Sequence, residues 1–298
     1  MKKIILFVTV IVFLSCNTAP RNEKTDQVEK SKSVESYKLE LLWQSDTLLR
    51  TPESVLIDHD RDILFVSNIN SGPWEKDENG FISKMDRSGN IIKLKWVEGL
   101  SAPKGMGISG NSLYIADITD LVEVNIETGE ITNRFVAEGN PQLNDITVGD
   151  DGTVYVSGSG SDTIYKLENG EIKAIFKGEE GERFNGLLWE KDRMLLITSG
   201  SSQLKEIDWN TMEAKVISEN MGQGDGICRV GNGCYITSSW AGAVYYVSSD
   251  EEVTKLLDTE ASEENTADAD FSIDEQILYV PTFFKNQVKA YKLIKVLE

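Results

Sequence analysis

Two carboxylates and two carboxamides, Glu53, Asn144, Asn185 and Asp225, recur at a period near forty residues, with Lys104 completing the series. The successive intervals from Glu53 through Lys104 to Asp225 are 51, 40, 41 and 40 residues, and a further 44 lead to Ala269 as the expected sixth member. Side chains repeated this regularly occupy equivalent places in a repeated unit, so a closed repeat gathers them around one axis. The four donors offer only oxygen. Two convergent carboxylates repel each other unless a cation neutralises them. Carboxylate and amide oxygens suit a hard cation, Ca²⁺ first, with Mg²⁺ or Mn²⁺ as alternatives and water in the remaining positions.

The single histidine, His59, falls in the turn between the first two strands of the first repeat, at the end opposite the series. It reads as a solvent-exposed turn residue. Ser-His-Asp and Cys-His catalysis, His-ligated zinc and a His general base are therefore excluded at the series. Metal-assisted hydrolysis survives, in which the cation polarises a carbonyl or phosphoryl oxygen and a water deprotonated by a carboxylate attacks. Asp225 is the first choice for ligand and base together, and Glu53 is the alternative. Lys104 has three readings: an ion pair with Glu53 or Asp225, a contact to an oxyanion, or a lysine reaching out to solvent.

Such a series needs six copies of one supporting unit. The second strands of the repeats read ILFVSN (63–68), LYIAD (113–117), VYVSG (154–158), LLITSG (195–200), CYITSS (234–239) and LYVPT (278–282). Each is short, β-branched or aromatic, and followed by small polar residues. One stretch, 145–178, shows a complete unit of four strands joined by Asp-Gly and Asn-Gly turns, which favour tight hairpins. Four strands per repeat and six repeats predict an all-β, six-bladed propeller of antiparallel blades. The last repeat lacks a fourth strand, while YKLELLWQS (37–45) precedes the first. Pairing the two completes the sixth blade with the N-terminal strand outermost. Apolar residues two positions after the series (Val55, Met106, Ile146, Leu187, Ile227) read as packing beneath a polar ring.

The segments PES (52–54), LND (143–145), FNGLLW (184–189) and GDGI (224–227) present Glu, Asn, Asn and Asp in an order that resembles the gluconolactonase and regucalcin-like family, with its calcium-dependent phosphotriesterase relatives. The resemblance spans the chain from Tyr37 onward. It implies a six-bladed propeller with a divalent metal, and hydrolysis of sugar lactones or other esters. It makes Glu53, Asn185 and Asp225 direct ligands and Asn144 a ligand or substrate contact. Gln142 stands where lactonases of this family often carry a substrate-binding arginine, which weakens the case for a sugar acid. Trp74 in the long loop 68–80 and Trp240, with Phe283 and Phe284, place aromatics around the mouth, suited either to stacking on a ligand or to packing between blades.

The chain begins with Lys2 and Lys3, an apolar run from Ile4 to Leu14, then Ser15 and Cys16. Eleven apolar residues are too few to cross a bilayer, so residues 1–16 read as a signal peptide. Cys16 resembles the lipidated cysteine of a bacterial lipobox, with Phe13 and Leu14 bulkier than the usual pattern. Residues 17–36 hold eight charged residues of twenty and read as a disordered tether reaching roughly 25 Å. The net charge of −19 becomes −21 once Lys2 and Lys3 are removed. That balance argues against nucleic-acid partners and against electrostatic adhesion to anionic lipid, leaving the lipid anchor as the membrane link. Cys228 and Cys234 flank a turn and read as two small thiols, with a hairpin disulfide as the alternative.

The sequence thus leads to a lipid-anchored, periplasm-facing protein of the bacterial envelope, with the outer membrane expected. Its partner is a small molecule, sugar-derived or otherwise, and its activity a metal-dependent lactonase or esterase. The alternative is a non-catalytic ligand-binding or interaction propeller with a structural or vestigial metal site.

Overall fold

Each repeat folds as four antiparallel strands in a computed structural model that describes residues 36–296. Six such sheets follow one another at 52–100, 103–136, 143–177, 184–218, 224–258 and 270–296, blades one to six, the last completed by the strand Ser36–Gln44. That strand pairs antiparallel with Val288–Val296 and lies outermost, as its isolated position before the first repeat predicts. The signal peptide, Cys16 and the tether up to residue 35 lie outside the described residues.

The apolar alternation of the strands is spent between blades. Six of the seven core clusters among the described residues each draw on two neighbouring blades. One joins Phe65, Ile82 and Leu100 of blade one to Ile115, Val122 and Val124 of blade two. Another closes the circle, joining Val55, Leu64 and Met85 of blade one to Tyr279, Val288 and Ala290 of blade six. The axis is left as a channel lined by the innermost strands.

Those innermost strands share one irregularity. In blades one to five the pairing with the second strand shifts register at the same place, between Pro52 and Val55, Pro103 and Met106, Leu143 and Ile146, Phe184 and Leu187, and Gly224 and Ile227. A bulge releases its residues from strict alternation. Two successive residues per blade can then face the axis region. The hydroxyls of Ser67, Ser157 and Ser238 accept the N–H groups of Ser54, Asp145 and Gly226 that the bulge takes out of the ladder. This accounts for the small polar residues that close the second strands of blades one, three and five.

Blade six departs from the sequence register. Asp268 forms a parallel bridge with Ser54, its N–H donating to Glu53 O and its carbonyl accepting from Val55 N. Asp268 is therefore the counterpart of Ser54, and the sixth member of the series is Ala267, 42 residues after Asp225. Ala269 instead packs in the core with Cys228, Ile236 and Phe271. Cys228 and Cys234 are free thiols, and the register sets Cys228 opposite Ile236 and Cys234 opposite Gly231.

Candidate functional site

Five bulges bring Glu53, Lys104, Asn144, Asn185 and Asp225 to one level of the channel, and Ala267 leaves the sixth place without a polar group. All five polar side chains are buried, none more than 7% exposed. Lys104 does not reach solvent. Its Nζ lies 3.9 Å from Glu53 Oε1 and 4.3 Å from the centre of the Trp74 ring.

The oxygens are unevenly satisfied. Asn144 Nδ2 donates to Ser159 Oγ at 2.9 Å, and that hydroxyl donates to Phe184 O at 2.5 Å, which fixes the orientation of the carboxamide. Asn185 lies close enough to the Asp225 carboxylate to pull its pKa down a little. Glu53 Oε2, Asn185 Oδ1 and Asp225 Oδ1 are buried without a hydrogen-bond partner among the described residues. An unsatisfied buried acceptor costs on the order of 1–3 kcal/mol, more when charged. Three of them, from blades one, four and five, are the oxygens of the direct ligands expected from sequence. Among the described residues no group of three or more His, Cys, Asp or Glu side chains forms a metal-type cluster. The donor set here is mixed, two carboxylates with carboxamides.

Burial dominates the electrostatics. It raises the Glu53 carboxyl to about 7 against the opposing pull of the Lys104 ammonium. Asp225 is raised well above its ordinary range, by burial first and then by the charge of Glu53. Lys104 is lowered by burial, which outweighs the neighbouring Glu53, Asp225 and Asp117.

One level below the ring, Asp145 and Asp268 enter the channel lining. Sequence reasoning based on alternation missed both. The equivalent residues of the other blades are Ser54, Gly105, Gly186 and Gly226, so an aspartate in a column of small residues was the available signal. Each acid needs that smallness beside it: a Cβ on Gly105 would strike the Asp145 carboxylate, and one on Gly226 the Asp268 carboxylate. Asp145 is raised to about 7 by burial, and Asp268 is raised by burial and then by Asp145.

The mouth above the ring is covered. Ile69, Ala102, Ile118, Ala267 and Phe283 form a buried apolar cluster against which Trp74 and Trp240 pack. Trp240 meets Phe283 and Phe284 edge-to-face at 5.8 and 5.9 Å. Both tryptophans thus sit at the mouth as expected, and both are engaged in packing there. Phe284 projects, 60% exposed. His59 is exposed at the far end of the channel.

No protein-family model and no curated protein sequence matches the chain. Solved structures share its fold. A catalytically inactive histidine-to-alanine variant of virginiamycin B lyase from Staphylococcus aureus, with quinupristin, aligns with a TM-score of 0.63 at 14% identity over 87% of this chain and 100% of that one. A streptogramin B lyase aligns with a TM-score of 0.64 at 13% identity, covering 87% and 98%. A gluconolactonase from Xanthomonas campestris reaches 0.66 at 13% identity, covering 83% and 87%. Identities this low establish the common propeller and leave activity to the residues of the ring.

Proposed function

We propose that the ring holds a divalent cation, Ca²⁺ first, and that the protein hydrolyses lactones or related esters there. The observation that carries this reading is the set of three orphaned oxygens on Glu53, Asn185 and Asp225. Hard oxygen donors in this number fit a hard cation, with Asn144 as a further ligand or a substrate contact. A cation held there would supply polarisation of the substrate carbonyl. Asp225, beside Asn185 and Glu53, would take the proton of an attacking water, with Glu53 as the alternative base. Lys104 supplies a positive charge beside Glu53 that a developing oxyanion can use. The aromatic cover over the mouth excludes water, and a substrate must displace or stack upon Trp74 and Trp240 to reach the ring.

Gluconolactonase and virginiamycin B lyase both stand among the structural neighbours, so lyase chemistry is the other enzymatic option. That lyase is inactivated by loss of a histidine. The only histidine of this chain lies at the far end of the channel, which favours hydrolysis. A second reading, a non-catalytic ligand-binding propeller, rests on Lys104. Its ammonium already places a cation beside Glu53, and a ring neutralised from within needs no metal.

The test is a calcium titration of metal-stripped protein, read by thermal stability, followed by a panel of lactones and aryl esters, on wild type and Asp225→Ala. Cation-dependent turnover that falls on the order of 100-fold or more in the variant is expected. Stabilisation without turnover selects the non-catalytic reading, and no response to any divalent cation removes the metal. The proposal extends to an envelope location through Cys16. Labelled palmitate should enter wild type in a bacterial host and not Cys16→Ser, and equal labelling would discard the anchor.

A further inference from the structure

At the end of the channel opposite the ring lies a cavity of about 460 Å³, within the range of small-molecule sites. Val55, Met106, Ile146, Leu187 and Ile227, one from each of five blades, make an apolar collar around it, and Ser54, Asp145 and Asp268 line its inner end. Asp270 stands on its side wall. Apolar walls with a few convergent polar groups are the ordinary composition of a ligand pocket.

The three carboxylates are not equivalent. Asp145 accepts the Ile146 N–H on Oδ1 and the Leu187 N–H on Oδ2, both at 2.6 Å. Asp270 accepts Phe271 N–H on Oδ1 at 2.7 Å and Ile57 N–H on Oδ2 at 2.9 Å. These two staple a strand of one blade to the next and have their oxygens occupied. Asp268 accepts the Ser54 hydroxyl on Oδ2 at 2.8 Å, while Oδ1 lies against the Gly226 backbone with no donor from the described residues. Unlike the ring residues it keeps accessible surface, turned to the cavity.

Among the described residues that line the cavity, the basic groups are His59, at the outer opening, and Arg229. Arg229 at the rim is held by Glu190 and by the Trp189 carbonyl at 2.7 Å, and Lys104 lies on the ring side, under Trp74. An anion reaching the inner end of this cavity meets the apolar collar and carboxylates. A cation with an apolar body meets a partner for each part. A buried carboxylate that gains an ammonium partner recovers much of its desolvation cost.

We infer that this cavity is a second ligand site, for a small organic ammonium whose charged end pairs with Asp268 and whose alkyl or aryl body lies in the apolar collar. The site is separate from the ring and does not depend on a metal there. Calorimetric titration of the purified protein with hexylamine, hexanoate and 1-hexanol tests it. Hexylamine should bind, hexanoate should not, and 1-hexanol should bind at least tenfold more weakly than the amine. Asp268→Asn keeps the shape and the Ser54 contact and should weaken hexylamine at least tenfold. Ile146→Trp, which fills the collar, should abolish binding, and Asp225→Ala, in the ring, should leave it unchanged. The site is disproved if wild type takes no hexylamine, or takes hexanoate or hexanol equally well. It is also disproved if Asp225→Ala loses the amine while Asp268→Asn retains it, which would put the amine in the ring.

Discussion

A chain that begins at Ser45, lacking only the outer strand of blade six, is expected to melt at least about 10 °C below the intact protein. Ser36–Gln44 makes eight residue pairings with Val288–Val296, but its larger contribution is at the seams. Tyr37 and Leu39 pack against the cluster between blades five and six, and Trp43 against the one between blades six and one. Trp43 also donates its indole N–H to Arg87 O at 3.1 Å and lies over Gly89, where a Cβ would strike the ring. Half-burying these three side chains is worth about 4 kcal/mol, a large part of the 5–15 kcal/mol that holds a typical protein folded. Because the six seam clusters each span two blades, weakening one seam opens the ring and loads the others. Thermal unfolding of the truncated and intact chains, followed by addition of a synthetic 36–44 peptide, checks this. Partial recovery with the peptide is expected, and an unchanged melting temperature would show that blade six stands on three strands.

The propeller was legible because its grammar is local. Turn residues, alternating strands and a forty-residue period each appear within a single repeat, and the missing strand of blade six follows from counting. The ring was legible for the same reason, since equivalent places in equivalent repeats converge on the axis whatever the side chains are. What lay beyond the sequence depends on neighbouring blades. Aligning the repeats on the inner strand leads to Ala269 as the sixth ring member, yet the bridge between Ser54 and Asp268 sets the register of that strand two residues away. Asp145 and Asp268 were missed because a bulge frees them from alternation. Its place is set by hydroxyls on the second strand, such as Ser157. That Lys104 turns inward and not to solvent depends on the loop that carries Trp74 over its ammonium.

In the absence of divalent cation, stability should fall as the pH rises from about 4 to about 7. Glu53 and Asp145 are each raised to about 7 by burial, and Asp225 and Asp268 are raised as well. The unfolded chain releases these protons near pH 4. Through the window between, the folded state holds more protons than the unfolded one, so each added pH unit favours unfolding, and the contribution present below pH 4 is gone above about 7. For Glu53 and Asp145 together this amounts to several kcal/mol, or a drop on the order of 10 °C in melting temperature. A cation at the ring competes with protons for the oxygens of Glu53 and Asp225. Calcium should therefore restore much of the loss at pH 8 and do little at pH 5, and Asp225→Ala should remove that difference. Melting curves at the two pH values, with chelator and with calcium, decide it. Calcium that stabilises equally at both, or melting that rises with pH in chelator, would mean that these carboxyls are ionised in the folded protein without a metal, held so by Lys104 alone.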